Sequence, residues 1–273
     1  MKILRPVPPA PAGKTKKATL SAVCLAAGIL AVFCSGPLRA ADQSAQNPGI
    51  LPPDSTPGDL SYPAWHVAWW NWLMSIPAES NPMLNVDDPE DLAAPAPRPL
   101  WLGDYDASAG QSGHVWFLAE AYAVVEREAT IPAGTPLCFP LQNHMVWGWP
   151  PVPEAEAWMR FYLALVLDTA EISCEIDGVT VQNLERYRCQ SPAVPFVLPE
   201  NNYQGLPAGE HGMMVDDGYY LILAPLSVGT HTIHWTATMQ IIPYWNPWDP
   251  APTPPYPQGL QEVTYHITVV PAK

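Results

Sequence analysis

Two strand-like segments near the C-terminus each carry a histidine on the side turned away from the core. In THTIHW, Ile233 and Trp235 should point inward, which turns His234 outward; in VTYHITVV, Tyr265 and Ile267 point inward, which turns His266 outward. If the segments pair antiparallel across the 240–260 connection, the register that matches both core faces and centres that loop sets His234 opposite His266. Two imidazoles there could share a divalent metal, the chemistry of a metal-dependent hydrolase. A zinc site needs three or four ligands and no third follows nearby, so two surface histidines are the plain alternative. His231, on the other parity, is expected to be hydrogen-bonded near the core edge. Two acid-rich spots, Glu210 with His211 and Asp216 with Asp217 before Gly218, sit beside turn residues, and loop geometry explains them equally well. Without a nucleophile–base pair, a P-loop, a dinucleotide-binding glycine pattern, HExxH or GxSxG, no mechanism is assigned and the sequence leans away from an enzyme. No cofactor is expected beyond that candidate metal.

The second candidate is aromatic. HMVWGWPP (144–151) and IIPYWNPWDPAPTPPYPQG (241–259) bring Trp147, Trp149, Tyr244, Trp245 and Trp248 into Pro-rich stretches, where rings are not required for a core. Rings on stiff backbone lose little entropy on binding and suit the faces of sugars or a protein partner. The competing reading is that these stretches cover apolar surface elsewhere in the chain.

That surface is identifiable. YPAWHVAWWNWLMSIP places Trp65, Trp69, Trp70 and Trp72 within eight positions, and the spacing predicts a helix with Ser61 as N-cap, Pro63 in the first turn, a Leu60–Trp65 staple and Pro77 as terminator. Its apolar arc of roughly 220° is about twice that of a helix lying on one core, so it should be covered on two sides. The second cover could be loops of this chain, a partner subunit or a ligand. A second helix is expected from Glu154 to about Asp168, with Trp158, Phe161, Tyr162 and Leu165 in a stripe. HVWFLAEAYAVVERE, TPLCFPL, RYRCQS, AVPFVLP, YYLILAPL and the two histidine segments read as strands, with IPAG a turn and Asp177-Gly178 a hairpin turn. The fold class is mainly β: a β-sandwich or jelly-roll core with two peripheral α-helices.

The first 40 residues read as a signal peptide, with a basic start and an apolar run from Ala18 to Phe33. An uncleaved anchor is the alternative, but the run falls short of the roughly 20 residues a span needs, and no transmembrane span is expected after cleavage. Residues 41–60 read as a flexible or irregular arm, and 61–273 as a single domain. Removing the leader leaves six basic residues against 26 acidic ones, a net charge of −20, which repels nucleic acid. The protein is therefore expected to be secreted or periplasmic. In that oxidising setting Cys174 and Cys189 are expected to bridge, a loop worth roughly 3 kcal/mol, with Cys138 left as a buried thiol.

The order of these segments resembles a group of uncharacterised secreted bacterial proteins with a Trp-rich helix ending in Ser-Ile-Pro (here Trp65 to Pro77) and an Asn-Pro soon after (Asn81-Pro82). GQSGHVWFL (110–118), IPAGTPLCFP (131–140), DGVTVQNLERYR (177–188) and DDGYYLILAPLSVGTHTI (216–233) extend the likeness over nearly the whole chain after the leader. The resemblance implies an architecture and no established activity or site residues. Thr130 departs from it, standing where a cysteine is frequent before IPAG.

Overall fold

Residues 62–75 form the expected helix in the computed structural model, which describes residues 47–83, 100–101, 106–121, 123–202, 204–240 and 259–272. This helix, α1 (Tyr62–Ser75), starts after Ser61 with Pro63 in its first turn, where a missing N–H is harmless, and stops before Pro77. Ser61 makes no side-chain cap. Instead Asn81 closes the other end: its Nδ2 donates to the carbonyls of Leu73 (2.8 Å) and Ile76 (3.3 Å), and its Oδ1 accepts from Met83 N. Leu60 is exposed and forms no staple; the Trp65 indole instead donates to Pro57 O at 2.9 Å.

The strands are β1 (Leu100–Trp101), β2 (Trp116–Phe117), β3 (Val124–Pro132), β4 (Leu137–Trp149), β5 (Glu171–Ile176), β6 (Val179–Thr180), β7 (Arg188–Gln190), β8 (Val194–Leu198), β9 (Gly209–Leu223), β10 (Gly229–Met239) and β11 (Gly259–Val270). With α1 and a second helix, α2 (Pro153–Leu167), the fold is mainly β with two α-helices, as expected. A six-stranded sheet runs β1-β3-β11-β10-β5-β6, and a five-stranded sheet runs β2-β4-β9-β7 with β8 also on β9. Both are mixed, since β1–β3, β3–β11 and β2–β4 are parallel. The Asp177-Gly178 turn joins β5 to β6 with both residues at positive φ, the geometry a tight two-residue hairpin requires.

β9 shows how the layers stack. Its even residues turn to α1, where Asp216 and Tyr220 meet His66; its odd residues turn to the other side, where Val215 packs with α2. Farther along the five-stranded sheet, Phe139 of β4 stacks on Trp235 of β10 at 5.4 Å, tying the two sheets together. So α1 is not peripheral: Trp69 and Leu73 are fully buried. Its second cover is this chain. Trp69 Nε1 donates to Leu118 O (2.9 Å), Trp72 Nε1 to Ala109 O (3.1 Å), and Tyr62 OH to Leu51 O (2.6 Å). The described part of the arm, 47–60, is thus irregular but anchored, with Ile50 bridging Leu223.

Three expectations change. HVWFLAEAYAVVERE is not one strand, because between β2 and β3 the backbone bonds to side chains instead of a ladder: Arg127 donates to the carbonyls of Ala119 (2.6 Å) and Glu120 (3.1 Å). NHMVWGW is the second half of β4, not a loop. In α2 the buried stripe is Ala155, Met159, Tyr162, Leu163, Val166 and Leu167, while Phe161 is 62% and Leu165 39% exposed. Both choices have helical period, and aliphatic packing against β4 and β9 sets the phase. No helix among the described residues is long and apolar enough to cross a membrane.

Candidate functional site

Tyr244, Trp245 and Trp248 lie outside the described residues, so the aromatic candidate rests on the end of β4. There Trp147 pairs with Met214 and Trp149 with Met213, so Gly148, at φ +89°, is an extra residue bulged out of the ladder. The bulge sends the two indoles to opposite faces. Trp149 is buried at the head of a stack with Trp158 (4.3 Å, 10°), and Trp158 in turn stacks on Tyr162 (5.2 Å, 6°). Trp147 is half-buried on the other face, leaning on Phe196 of β8 at 4.8 Å with His211 edge-on at 6.3 Å. The two rings therefore share no surface.

The strand histidines do not face each other. The register of β10 with β11 sets His234 opposite Thr264 and His266 opposite Thr232. This is a two-residue slip from the expected pairing, and it keeps Ile233, Trp235, Tyr265 and Ile267 buried, so the inward pattern could not distinguish the two. On the pleat the histidines are diagonal neighbours and not a directly opposed pair. His234 Nδ1 meets Thr264 Oγ1 at 2.9 Å and His266 Nε2 meets Glu126 Oε2 at 3.3 Å. Among the described residues no group of three or more His, Cys, Asp or Glu could hold a metal. His231 is hydrogen-bonded as expected, to Asp177 Oδ2 (2.7 Å) and Ser227 O (2.9 Å), and these acceptors raise its pKa.

The expected Cys174–Cys189 bridge is absent: Cys138, Cys174 and Cys189 are all free thiols. Cys174 pairs with Trp235 in the six-stranded sheet and Cys189 with Gly218 in the five-stranded one, so proximity in sequence does not bring them together. Cys189 Sγ lies instead 3.2 Å from Nε2 of His66, whose Nδ1 is 2.8 Å from Asp216 Oδ2. Asp216 and His66 are fully buried, and the carboxylate sits close to the imidazole N–H but off its axis. Burial pushes the Asp216 carboxyl above the ordinary range, while the contacts of His66 and Trp70 oppose that rise.

The polar groups continue inward. Tyr220 stacks on His66 at 3.7 Å and its hydroxyl donates to the Asn143 amide oxygen, while the Asn143 nitrogen reaches Glu120 Oε1 at 2.6 Å. Gln261 Nε2 donates to Leu141 O (2.7 Å) and Gln142 Oε1 (3.1 Å) beside the same carboxyl. Burial, reinforced by Asp216, pushes Glu120 up to about 8 against the opposing pull of Gln261 and Arg127. On the opposite face Arg188 holds Asp217 through both carboxylate oxygens (3.0 Å each) and Asp168 at 2.6 Å, tying α2 to the sheet. Asp216 and Asp217 are therefore members of two buried networks, not parts of a turn. The sequence signal available was the pair of acids inside a run that β9 must bury, DDGYYLIL. The partners come from segments far away in sequence.

No protein-family model matches the chain, and no curated protein matches it. Among solved structures, the chain is similar to the crystal structure of a cysteine protease inhibitor from Entamoeba histolytica: 13% identity, 53% of this chain and 87% of that one covered, and a TM-score of 0.20.

Proposed function

We propose that this is a secreted or periplasmic, non-catalytic binding protein that takes a neutral carbohydrate against aromatic surface, with Trp147 at its centre. The observation that supports it is the setting of that ring: partly exposed, backed by Phe196, flanked by His211, and fixed by a strand rather than a mobile loop. A stiff, partly open indole suits the apolar face of a sugar. The acidic balance of 26 Asp and Glu against 12 Lys and Arg argues for a neutral ligand over an anionic one. Trp149 leaves the binding set, because its ring is buried with α2. The hydrolase alternative is the weaker reading, because His234 and His266 are not directly opposed and no group of three ligands forms among the described residues.

The test is a neutral-glycan array, followed by affinity electrophoresis on the best binders, with wild type and Trp147→Ala. Binding by wild type and a loss of at least about tenfold, or 1.4 kcal/mol, in a variant that remains folded at the assay temperature is expected. A wild type that retains no neutral glycan, or a variant that binds equally well, overturns the proposal.

A further inference from the structure

Cys189 occupies a setting unlike that of the other two thiols. Cys138 and Cys174 are fully buried, whereas Cys189 is partly exposed on β7 and has an imidazole nitrogen 3.2 Å from its sulfur. The groups that act on it are His66 and Tyr62 from α1 and Asp216 and Asp217 from β9, with Asp217 already held by Arg188 on the far face. Asp216 beside Nδ1 favours the tautomer that carries its proton there, which leaves Nε2 as an acceptor facing the thiol.

We propose that Cys189 is an imidazole-activated thiol that exchanges with small disulfides, with His66 as its proton acceptor and Asp216 as the positioning residue that orients His66. In the step, the S–H proton passes to His66 Nε2 and the thiolate attacks one sulfur of R–S–S–R. A new S–S bond joins Cys189 to that sulfur, the S–S bond of the attacked disulfide breaks with its electron pair leaving on RS⁻, and the imidazolium returns the proton to give RSH. No external oxidant is consumed beyond the disulfide itself.

Electrostatics permits this despite the burial. Losing the thiol proton to solvent would place net charge among Asp216 and Asp217, and burial followed by those acids pushes the thiol up to about 12. Moving the proton to His66 creates no net charge, and the resulting imidazolium lies between a thiolate and a carboxylate. An in-line approach to a disulfide also asks little room, which suits a sulfur at the edge of a sheet.

The experiment is to incubate the reduced, leaderless chain with oxidised glutathione from pH 5 to 9 and follow adducts by intact mass and peptide mapping. One adduct on Cys189 is expected, absent in Cys189→Ser, with a rate that levels off below pH 7. His66→Gln should slow it at least about tenfold at pH 6.5 and leave a rate that climbs with pH through 9, the profile of a thiol that burial and the two acids hold near 12. Should His66→Gln fail to fold by circular dichroism, the wild-type profile decides alone, since a rate still climbing tenfold per pH unit through pH 8 overturns the proposal. So does an adduct on Cys138 or Cys174 in the native chain, no adduct at all, or a folded His66→Gln that reacts as fast as wild type.

Discussion

Trp147 and Trp149 stand two residues apart on one strand and face opposite sides of the sheet, because Gly148 is bulged out between them. Removing them should therefore have different effects. Trp149→Ala, which empties a fully buried position and breaks the stack with Trp158, is expected to cost about 3–5 kcal/mol in urea unfolding. Trp147→Ala should cost less than half as much, and equal losses would mean that the two rings share one environment.

Gly218 has no room for a side chain. A Cβ there would lie 2.6 Å from Asn143 Cβ, 2.9 Å from the Tyr220 ring and 3.0 Å from Gln142 O. Gly218→Ala is expected to lose at least about 1–3 kcal/mol by overpacking, and to release the Asn143–Tyr220 contact that leads to Glu120. Chemical denaturation reports the first effect, and the tyrosine and amide signals in NMR spectra report the second.

Arg188 grips the buried Asp217 with two parallel bonds while reaching Asp168 and Ala164 O on α2. Lysine cannot reproduce that fork, so Arg188→Lys should behave as a damaging change, close to Arg188→Ala. Leaving Asp217 buried without its cationic partner, with the Gln190 amide still donating to it, is expected to cost about 3 kcal/mol or more. Adding Asp217→Asn to Arg188→Ala should recover part of that loss, as a double-mutant cycle would show.

Glu120, Asp216 and His144 shape the pH dependence of stability, with Asp216 acting in the same sense as Glu120. Glu120, held near 8 by burial against an ordinary 4.5, keeps its proton in the folded state while the unfolded chain has lost it. Stability therefore falls as pH rises from about 4.5 to about 8, by up to about 1.4 kcal/mol per unit. His144, depressed by burial from 6.5 to about 4, acts in the opposite sense: its contribution is present above 6.5 and lost as pH falls toward 4. Glu120 and His144 oppose each other between about 4.5 and 6.5, leaving a decline from there to 8. Glu120→Gln should flatten that decline in thermal scans, and a slope unchanged in the variant would contradict the assignment.

What the sequence made legible was periodicity, and what it hid was phase and partnership. The proline brackets and indole spacing of residues 62–75 defined α1 closely, and the excess width of its apolar arc correctly required two covers. Which segment supplied the second cover was not readable, since Leu118 and Ala109 contribute backbone carbonyls, groups that every residue has. Pleat parity placed His234 and His266 outward but left the register free by two. The Cys189–His66–Asp216 cluster was out of reach because it joins a helix to two strands, and a loop-length argument drew Cys189 toward Cys174 instead. Two polar residues of the Trp-rich and GQSGHVWFL segments are structural clamps. Asn81 closes α1, and Gln111 pins Phe117 through both N–H (2.9 Å) and carbonyl (2.8 Å).

The enclosure of α1 also dictates a timetable for assembly. His66 must wait for Cys189, 123 positions later, and Trp69 for Leu118, 49 positions later. A chain emerging from its N-terminus thus carries a greasy, indole-studded rod with nothing yet synthesised to shelter it. Until those partners arrive the exposed indole surface favours self-association over completion.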